Sequence, residues 1–224
     1  DSDKPLIEVK WKGETKRLYP EEIIGILLKK FQKDVKQKTS EDVTCVTIVH
    51  PRSFTDDQCR ALMNAVESAN LTCIRLFKPD ASAVLAYGLN QDNRSIQKVV
   101  IFDLGGRTLD VTLIEIEDGL GETQAFSTND HLGGEDFTNR MVNYFALRFQ
   151  EKYGLDIRSS KVALLKLSYE CEKAKKKLST TEEVTIICDS LFEGHDFTDS
   201  ISREIFENLN IELFQSTLET VEKV

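Results

Sequence analysis

The stretch VVIFDLGGRTLDV, Val99 to Val111, decides how the rest of the chain is read. Val99, Val100, Ile101 and Phe102 are four apolar residues in a row, the pattern of a strand buried on both faces. Gly105-Gly106 permits a tight reversal. Thr108 to Ile116 then resumes as a second strand, with Leu109, Val111 and Leu113 on one face and Thr108, Asp110 and Thr112 on the other. Strand, glycine turn and strand leave backbone N–H groups pointing outward with no Cβ in the way, a concavity suited to a phosphate. Asp103 and Asp110 flank the turn, where paired carboxylates can hold Mg2+ through its waters. The competing reading is a hairpin whose glycines serve only the turn.

Composition bounds the function classes. Hydrophobic residues make up 40% and charged residues 30% of the 224-residue chain, enough for one large domain or two small lobes packed without a cofactor. The net charge is −9 and no basic run exceeds Lys175-Lys176-Lys177, which argues against a general nucleic-acid binder. No window approaches the ~18 apolar residues of a membrane span. Asp1-Ser2-Asp3-Lys4-Pro5 has no apolar, signal-like core. Cys45, Cys59, Cys73, Cys171 and Cys188 contain no C-x-x-C and read as free, buried thiols in a reducing, cytoplasmic compartment. His50, His131 and His195 are scattered and suggest no metal cluster.

Upstream of the hairpin, strands and helices alternate. Leu6 to Trp11 reads as a strand, Lys16 to Tyr19 pairs back, and Pro20 opens a helix whose buried stripe is Ile23, Leu27, Phe31 and Val35. Val43 to Val49 is a strand. Thr55-Asp56-Asp57-Gln58 is a capping box for a helix to about Asn70, and Leu71 to Phe77 is the next strand. Asp80 caps a short helix ended by Gly88, and polar Asn90 to Gln97 is the linker candidate. This order means a parallel or mixed sheet covered by helices. Downstream come a third strand, Leu120 to Ser127, and a helix with Phe137, Met141, Phe145 and Phe149 on one face, ended by Gly154. A long helix from Arg158 to Leu178, a hairpin around Glu193-Gly194 and a final helix capped by Ser202 complete the chain.

Two further segments invite a ligand. Leu132-Gly133-Gly134-Glu135 opens a helix, where free N–H groups face an anion or, alternatively, the glycines allow close packing of turn against sheet. Glu172-Lys173-Ala174-Lys175-Lys176-Lys177-Leu178-Ser179, taken alone, is a solvated helix face.

DLGGRTLD (Asp103–Asp110) resembles the DLGGGTFD second phosphate loop of the seventy-kilodalton heat-shock chaperones, members of the actin-like ATPase superfamily. HLGGEDFTNRMVNYF (His131–Phe145), CEKAKKKLS (Cys171–Ser179) and DSLFEGHDF (Asp189–Phe197) are similar to parts of the same family's ATPase domain, and the resemblance covers essentially the whole chain. It implies an α/β, incomplete actin-like ATPase (ribonuclease-H-like) fold: mixed sheets flanked by helices, plus an α+β lobe. Residues 1–92 would form an incomplete first lobe. Residues 98–132 and 210–224 would form a partial second-lobe core with the phosphate hairpin, and 133–209 its peripheral subdomain.

The resemblance also implies ATP or ADP with Mg2+ as cofactors. Gly105, Gly106, Arg107 and Thr108 would face the phosphates, with Asp103 and Asp110 near the metal through water and Gly133, Gly134 and Glu135 at the second glycine turn. Glu172, Lys175 and Ser179 would contact adenosine and ribose, and Lys176 stands where the family has an Arg stacked on adenine. Implied partners are nucleotide-exchange factors and J-domain co-chaperones, with Arg75 matching a basic residue near the co-chaperone face.

Departures matter equally. Arg107 replaces the family's third glycine; Arg bonds phosphate strongly, but at a glycine-only position it costs about 1–2 kcal/mol. Pro79 stands at the family's water-positioning Glu, with Asp80 one position late, and Cys59 replaces an Arg that partners the switch proline matched by Pro51. The family's first phosphate hairpin, a catalytic Lys and a final adenosine turn do not occur in this sequence. Losing three charge-assisted hydrogen bonds at about 1.5 kcal/mol each weakens binding roughly a thousandfold. The expectation is an ATPase-domain segment with weak or no hydrolysis by itself. The alternative is a degenerate module that engages co-chaperones or exchange factors. Exposed apolar surface capable of self-association is expected where further segments of the family would pack.

Overall fold

The structure, a computed structural model, describes residues 5–89 and 96–224. Most of the stretch read as a linker therefore lies outside the described residues. The chain forms two compact units, Asp1–Ser95 with Glu117–Gly121 and Ile96–Ile116 with Glu122–Val224.

In the first unit, β1 (Ile7–Trp11) and β2 (Glu14–Leu18) make an antiparallel hairpin. Helix α1 (Pro20–Thr39) starts with Pro20 at its first position, where a missing N–H costs nothing, and Glu22 accepts the Tyr19 N–H at 2.8 Å. Strand β3 (Cys45–Val49), helix α2 (Asp56–Ser68) and β4 (Thr72–Phe77) form a β-α-β unit with the strands parallel. The capping box at Thr55 is present in full.

Of the expected stripe of α1 only Ile23 is half-buried. Leu27, Phe31 and Val35 are 47%, 53% and 38% exposed. Gly25 is the buried position instead: a Cβ there would stand 2.3 Å from Ser68 Oγ of α2. Close approach at Gly25 turns Leu28 toward the Val66, Ala69 and Leu71 cluster. One turn on, Gln32 donates to the Val43 carbonyl at 2.7 Å. Close approach of α1 to Ser68 and the Ala65 carbonyl of α2 at a glycine overrides the four-residue apolar spacing.

Helix α3 (Pro79–Ala86) also differs. Lys78, not Asp80, is its N-cap residue. The Asp80 carboxylate is ion-paired with the Arg52 guanidinium, their side chains only 7% and 9% exposed. Asp80 follows the C-terminal end of β4 and Arg52 that of β3. Such a pair ties the two strand ends together.

The second unit contains the sheet β5 (Gln97–Leu104), β6 (Leu109–Glu117) and β7 (Leu120–Asn129), in that order. Helices α4 (Gly134–Tyr153) and α5 (Lys161–Leu178) follow, with a 3-10 turn at Ile157–Ser159 between them. The antiparallel pair β8 (Glu183–Phe192) and β9 (His195–Ser202) precedes α6 (Arg203–Val221), which Ser202 caps through the Ile205 N–H. The expected face of α4 is buried: Phe137, Met141, Phe145 and Phe149 are at most 4% exposed. Phe145 and Phe149 both meet Phe197 of β9 edge-on, in a core shared with Leu167 and Cys171 of α5.

All five cysteines are free, but only Cys171 and Cys188 are buried; Cys45 is exposed and Cys59 and Cys73 are half-buried. Burial raises the Cys171 thiol far above its usual range and pushes Cys188 up to about 11, so both stay protonated. Among the described residues no helix is long and apolar enough to cross a membrane.

Removing one partner of a buried ion pair leaves an uncompensated charge. Asp80→Asn or Arg52→Met should each destabilise the first unit by about 3–5 kcal/mol, read as a lower urea midpoint. A midpoint unchanged in both variants would contradict the role given to this pair.

Candidate functional site

The predicted hairpin forms in register, with Leu104 opposite Leu109 and Asp103 directly opposite Asp110. Gly105 N–H donates to the Thr108 carbonyl at 2.9 Å, so this amide belongs to the turn and does not face an anion. Among the described residues no backbone carbonyl takes the Gly106 amide. The Arg107 amide lies hard against Gly133, since a Cβ on Gly133 would stand 2.3 Å from it.

The second glycine turn has the alternative role left open by its composition. Gly134 N–H donates to the Gly105 carbonyl at 2.9 Å and Glu135 N–H to the Gly106 carbonyl at 2.7 Å. Asp136 Oδ2 accepts the Gly133 N–H at 2.8 Å. The first amides of α4 are therefore not free for an anion; they carry the hairpin. Gly133, in extended backbone at φ −160°, is glycine because the Gly106–Arg107 backbone passes where a Cβ would be.

Gly105 and Gly106 differ from Gly133. Neither adopts a left-handed φ. A Cβ on Gly105 would reach only ordinary contact, 3.5 Å from the Thr108 carbonyl, and one on Gly106 would meet nothing within 4 Å. The fold does not demand glycine at either position. Arg107 is likewise free of the strain expected of it, because its φ is not left-handed. Its side chain is 80% exposed and lies 3.8 Å from Glu135.

Gly105 and Gly106 border an open cleft of about 840 Å3, wholly within the second unit. Gly105, Gly106, Gly134 and Glu135 line one part, and Glu172, Lys175 and Lys176 of α5 another. Asp103, Arg107, Thr108, Asp110, Gly133 and Ser179 are not in the lining; Ser179 is the C-cap residue of α5. Sequence reasoning missed Leu165, Ser168 and Tyr169, which line the same cleft. The available signal was helical spacing, since they precede Glu172 by seven, four and three residues on one face of α5.

Lys175 organises the α5 wall. Its ammonium donates to the Gly134 carbonyl at 2.6 Å and the Thr138 hydroxyl at 3.0 Å, and pairs with Glu172 at 2.7 Å. Three acceptors match its three protons. A side chain on Gly134 would crowd this ammonium, standing 3.1 Å away. Thr138 in turn donates to Glu172 at 2.7 Å, and Lys176 pairs with the other carboxylate oxygen at 3.2 Å. Burial pushes the Glu172 carboxyl up, but Lys175, Thr138 and Lys176 outweigh it and bring it down to about 2.

Asp103 and Asp110 stand opposite each other beside the turn, and like charges so placed repel. Hard oxygen donors in that arrangement suit Mg2+, which keeps most of its water and needs only one or two protein carboxylates beside phosphate oxygens.

The architecture is part of an actin-like ATPase fold, with several small sheets, flanking helices and a glycine hairpin beside a cleft. The chain belongs to the Hsp70 family: the family model described as Hsp70 protein matches residues 1–224. It is 43% identical over 223 residues to a heat shock 70 kDa protein of Emericella nidulans, covering all of this chain and 35% of that protein. It is 40% identical over 223 residues to the putative heat shock 70 kDa protein 7 of Homo sapiens, covering all of this chain and 61% of that one. It is 41% identical over 221 residues to a ribosome-associated molecular chaperone of Eremothecium gossypii, covering 98% of this chain and 36% of that protein. The chain thus spans about a third of its fungal relatives.

Two substitutions separate packing glycines from open ones. Gly133→Ala should destabilise the second unit by about 1–3 kcal/mol, because hairpin backbone must shift. Gly106→Ala should leave it unchanged or raise stability by about 0.4–1 kcal/mol. Equal losses of thermal midpoint would refute the distinction. The Glu172 cluster sets a pH dependence. The unfolded carboxyl, near 4.5, binds a proton before the folded one near 2 does, so its stabilising contribution is intact above pH 4.5 and lost as pH falls toward 2. Glu172→Gln should flatten the denaturation midpoint across that window; an identical slope in both proteins would contradict the assignment.

Proposed function

We propose that the second unit is the phosphate-holding half of a chaperone-type nucleotide-binding domain, binding ADP or ATP with Mg2+ weakly and hydrolysing ATP slowly or not at all by itself. The observation that carries this reading is the bare backbone at Gly105 and Gly106, bordering the cleft at positions where the fold does not require glycine. Glycine there costs conformational entropy, and close approach of a ligand to backbone is the remaining use for it. In this reading the Gly106 amide meets a phosphate, Asp103 and Asp110 hold Mg2+ through water, and the Glu172–Lys175 pair stands beside the sugar. Residues 98–132 and 210–224 act as a core and 133–209 as its peripheral subdomain.

Slow hydrolysis is what the family resemblance leads us to expect from Pro79 and Asp80. Pro79 has no carboxylate, and the Asp80 carboxylate is committed to Arg52. That observation also favours a second reading, a non-catalytic module of a cytoplasmic chaperone that meets nucleotide-exchange factors and J-domain proteins through 133–209. Val100, Phe102 and Leu104, exposed along β5, supply an apolar edge for self-association.

Calorimetry with ADP and Mg2+ should show weak binding, reduced at least ~10-fold, or about 1.4 kcal/mol, by Gly106→Val. Single-turnover hydrolysis should be far slower than that of a complete domain. Absence of ADP binding would refute the nucleotide reading and leave the partner-binding one, to be tested by exchange-factor pull-down. Hydrolysis matching a complete domain would refute the catalytic part.

A further inference from the structure

We propose that Cys59 is a modification site: a reactive thiol, positioned by His50, that takes up a small neutral or cationic disulfide by thiol–disulfide exchange. The site lies within the first unit and is independent of the nucleotide reading of the second.

His50 follows the last residue of β3, and its N–H donates to the Phe77 carbonyl at the end of β4 at 3.0 Å. It therefore stands at the carboxyl ends of two parallel strands, the edge where open α/β sheets take their ligands. His50 is only 9% exposed. Phe54 packs on its ring, the centroids 5.9 Å apart, and Nδ1 lies 2.8 Å from the Pro51 carbonyl. A carbonyl can only accept, so Nδ1 carries the hydrogen. The same nitrogen lies 4.0 Å from Sγ of Cys59, the fourth residue of α2. A half-buried thiol thus faces a fixed N–H donor near the start of a helix. The thiolate is the attacking species in disulfide exchange. Negative charge building on Sγ meets that N–H and the positive end of the helix.

The other four thiols differ. Cys171 and Cys188 are sealed in the core of the second unit, and Cys73 packs against the Val66, Ala69 and Leu71 cluster. Cys45 is exposed and begins β3, at the opposite end of the strand from His50. Charges around Cys59 select the reagent. Arg60 is paired with Asp57 and Arg52 with Asp80, so both guanidinium groups near it in sequence are already balanced. Asp56 lies one turn before Cys59. An anionic disulfide is repelled there; a neutral or cationic one is not. In the step, Sγ attacks one sulfur of R–S–S–R, that S–S bond breaks and a Cys59 Sγ–S bond forms. The leaving RS− takes up the proton that the Cys59 thiol released. Cys59 is oxidised and the leaving sulfur is reduced.

The test is a time course of the full chain with cystamine, a dication, and separately with oxidised glutathione, an anion, each cysteine being followed by peptide mass spectrometry. With cystamine, Cys59 should form the mixed disulfide at least about tenfold faster than the exposed Cys45, the rate worth of one hydrogen bond to a charged group. Its lead over Cys45 should shrink with oxidised glutathione. His50→Leu should remove the lead, while His50→Asn, which keeps an N–H donor, should retain it. Cys73 reports folding, since its labelling rises if the first unit opens. Where His50→Leu opens the unit, the parent ranking and the His50→Asn variant decide. Cys45 reacting as fast as Cys59 in the parent chain would overturn the proposal, because reactivity would then follow exposure alone. A lead preserved in folded His50→Leu would overturn the role of His50, and an equal lead with both disulfides would overturn the selection by charge.

Discussion

Two backbone hydrogen bonds hold the candidate site together: Gly134 N–H to the Gly105 carbonyl and Glu135 N–H to the Gly106 carbonyl. They join the turn of a hairpin to the first turn of a helix. Amides at a helix start have no partner within the helix, and turn carbonyls have none within the hairpin, so each element satisfies the other. The seam can close only because Gly133 has no side chain to strike the Gly106–Arg107 backbone. Its consequence is a division of labour. Carbonyls of the turn face the helix, and the Gly106 amide is left without a carbonyl partner among the described residues.

From the seam the site extends to α5 through one ammonium. Lys175 reads the Gly134 carbonyl directly and balances the Glu172 carboxylate, so helix start, hydroxyl of Thr138 and acid of α5 share one network. A half-buried charge is tolerated there because every proton of Lys175 has an acceptor. The large aromatic core under α4, α5 and the β8–β9 pair keeps the two helices at the separation this network requires.

Much of this was legible in the chain alone. The hairpin and the α4 face follow from the apolar run, the glycine pair and helical patterning, and the capping residues Thr55 and Ser202 announced their helices. The Val99–Phe102 run, however, read as a strand buried on both faces, has one open face, with Val100 and Phe102 exposed. What was not legible depends on non-local backbone fit. The spacing of Leu27, Phe31 and Val35 pointed to a buried stripe, yet α1 packs through Gly25 against Ser68, a contact no periodicity encodes. Asp80 had the look of a cap, but Arg52, nearly thirty residues earlier, claims its carboxylate. The amides of Gly134 and Glu135 seemed free because their acceptors lie on another element. Tyr169 escaped notice because a charged helix face hides an aromatic residue whose neighbours become lining only once the helix is docked.

The most direct test of the seam and of the amide it leaves open is residue-resolved hydrogen exchange, without and with ADP–Mg2+. The account predicts slow exchange at Gly105, Gly134 and Glu135 in both conditions, and fast exchange at Gly106 that slows when nucleotide is added. Rapid exchange at Gly134 and Glu135, or a Gly106 amide indifferent to nucleotide, would contradict it.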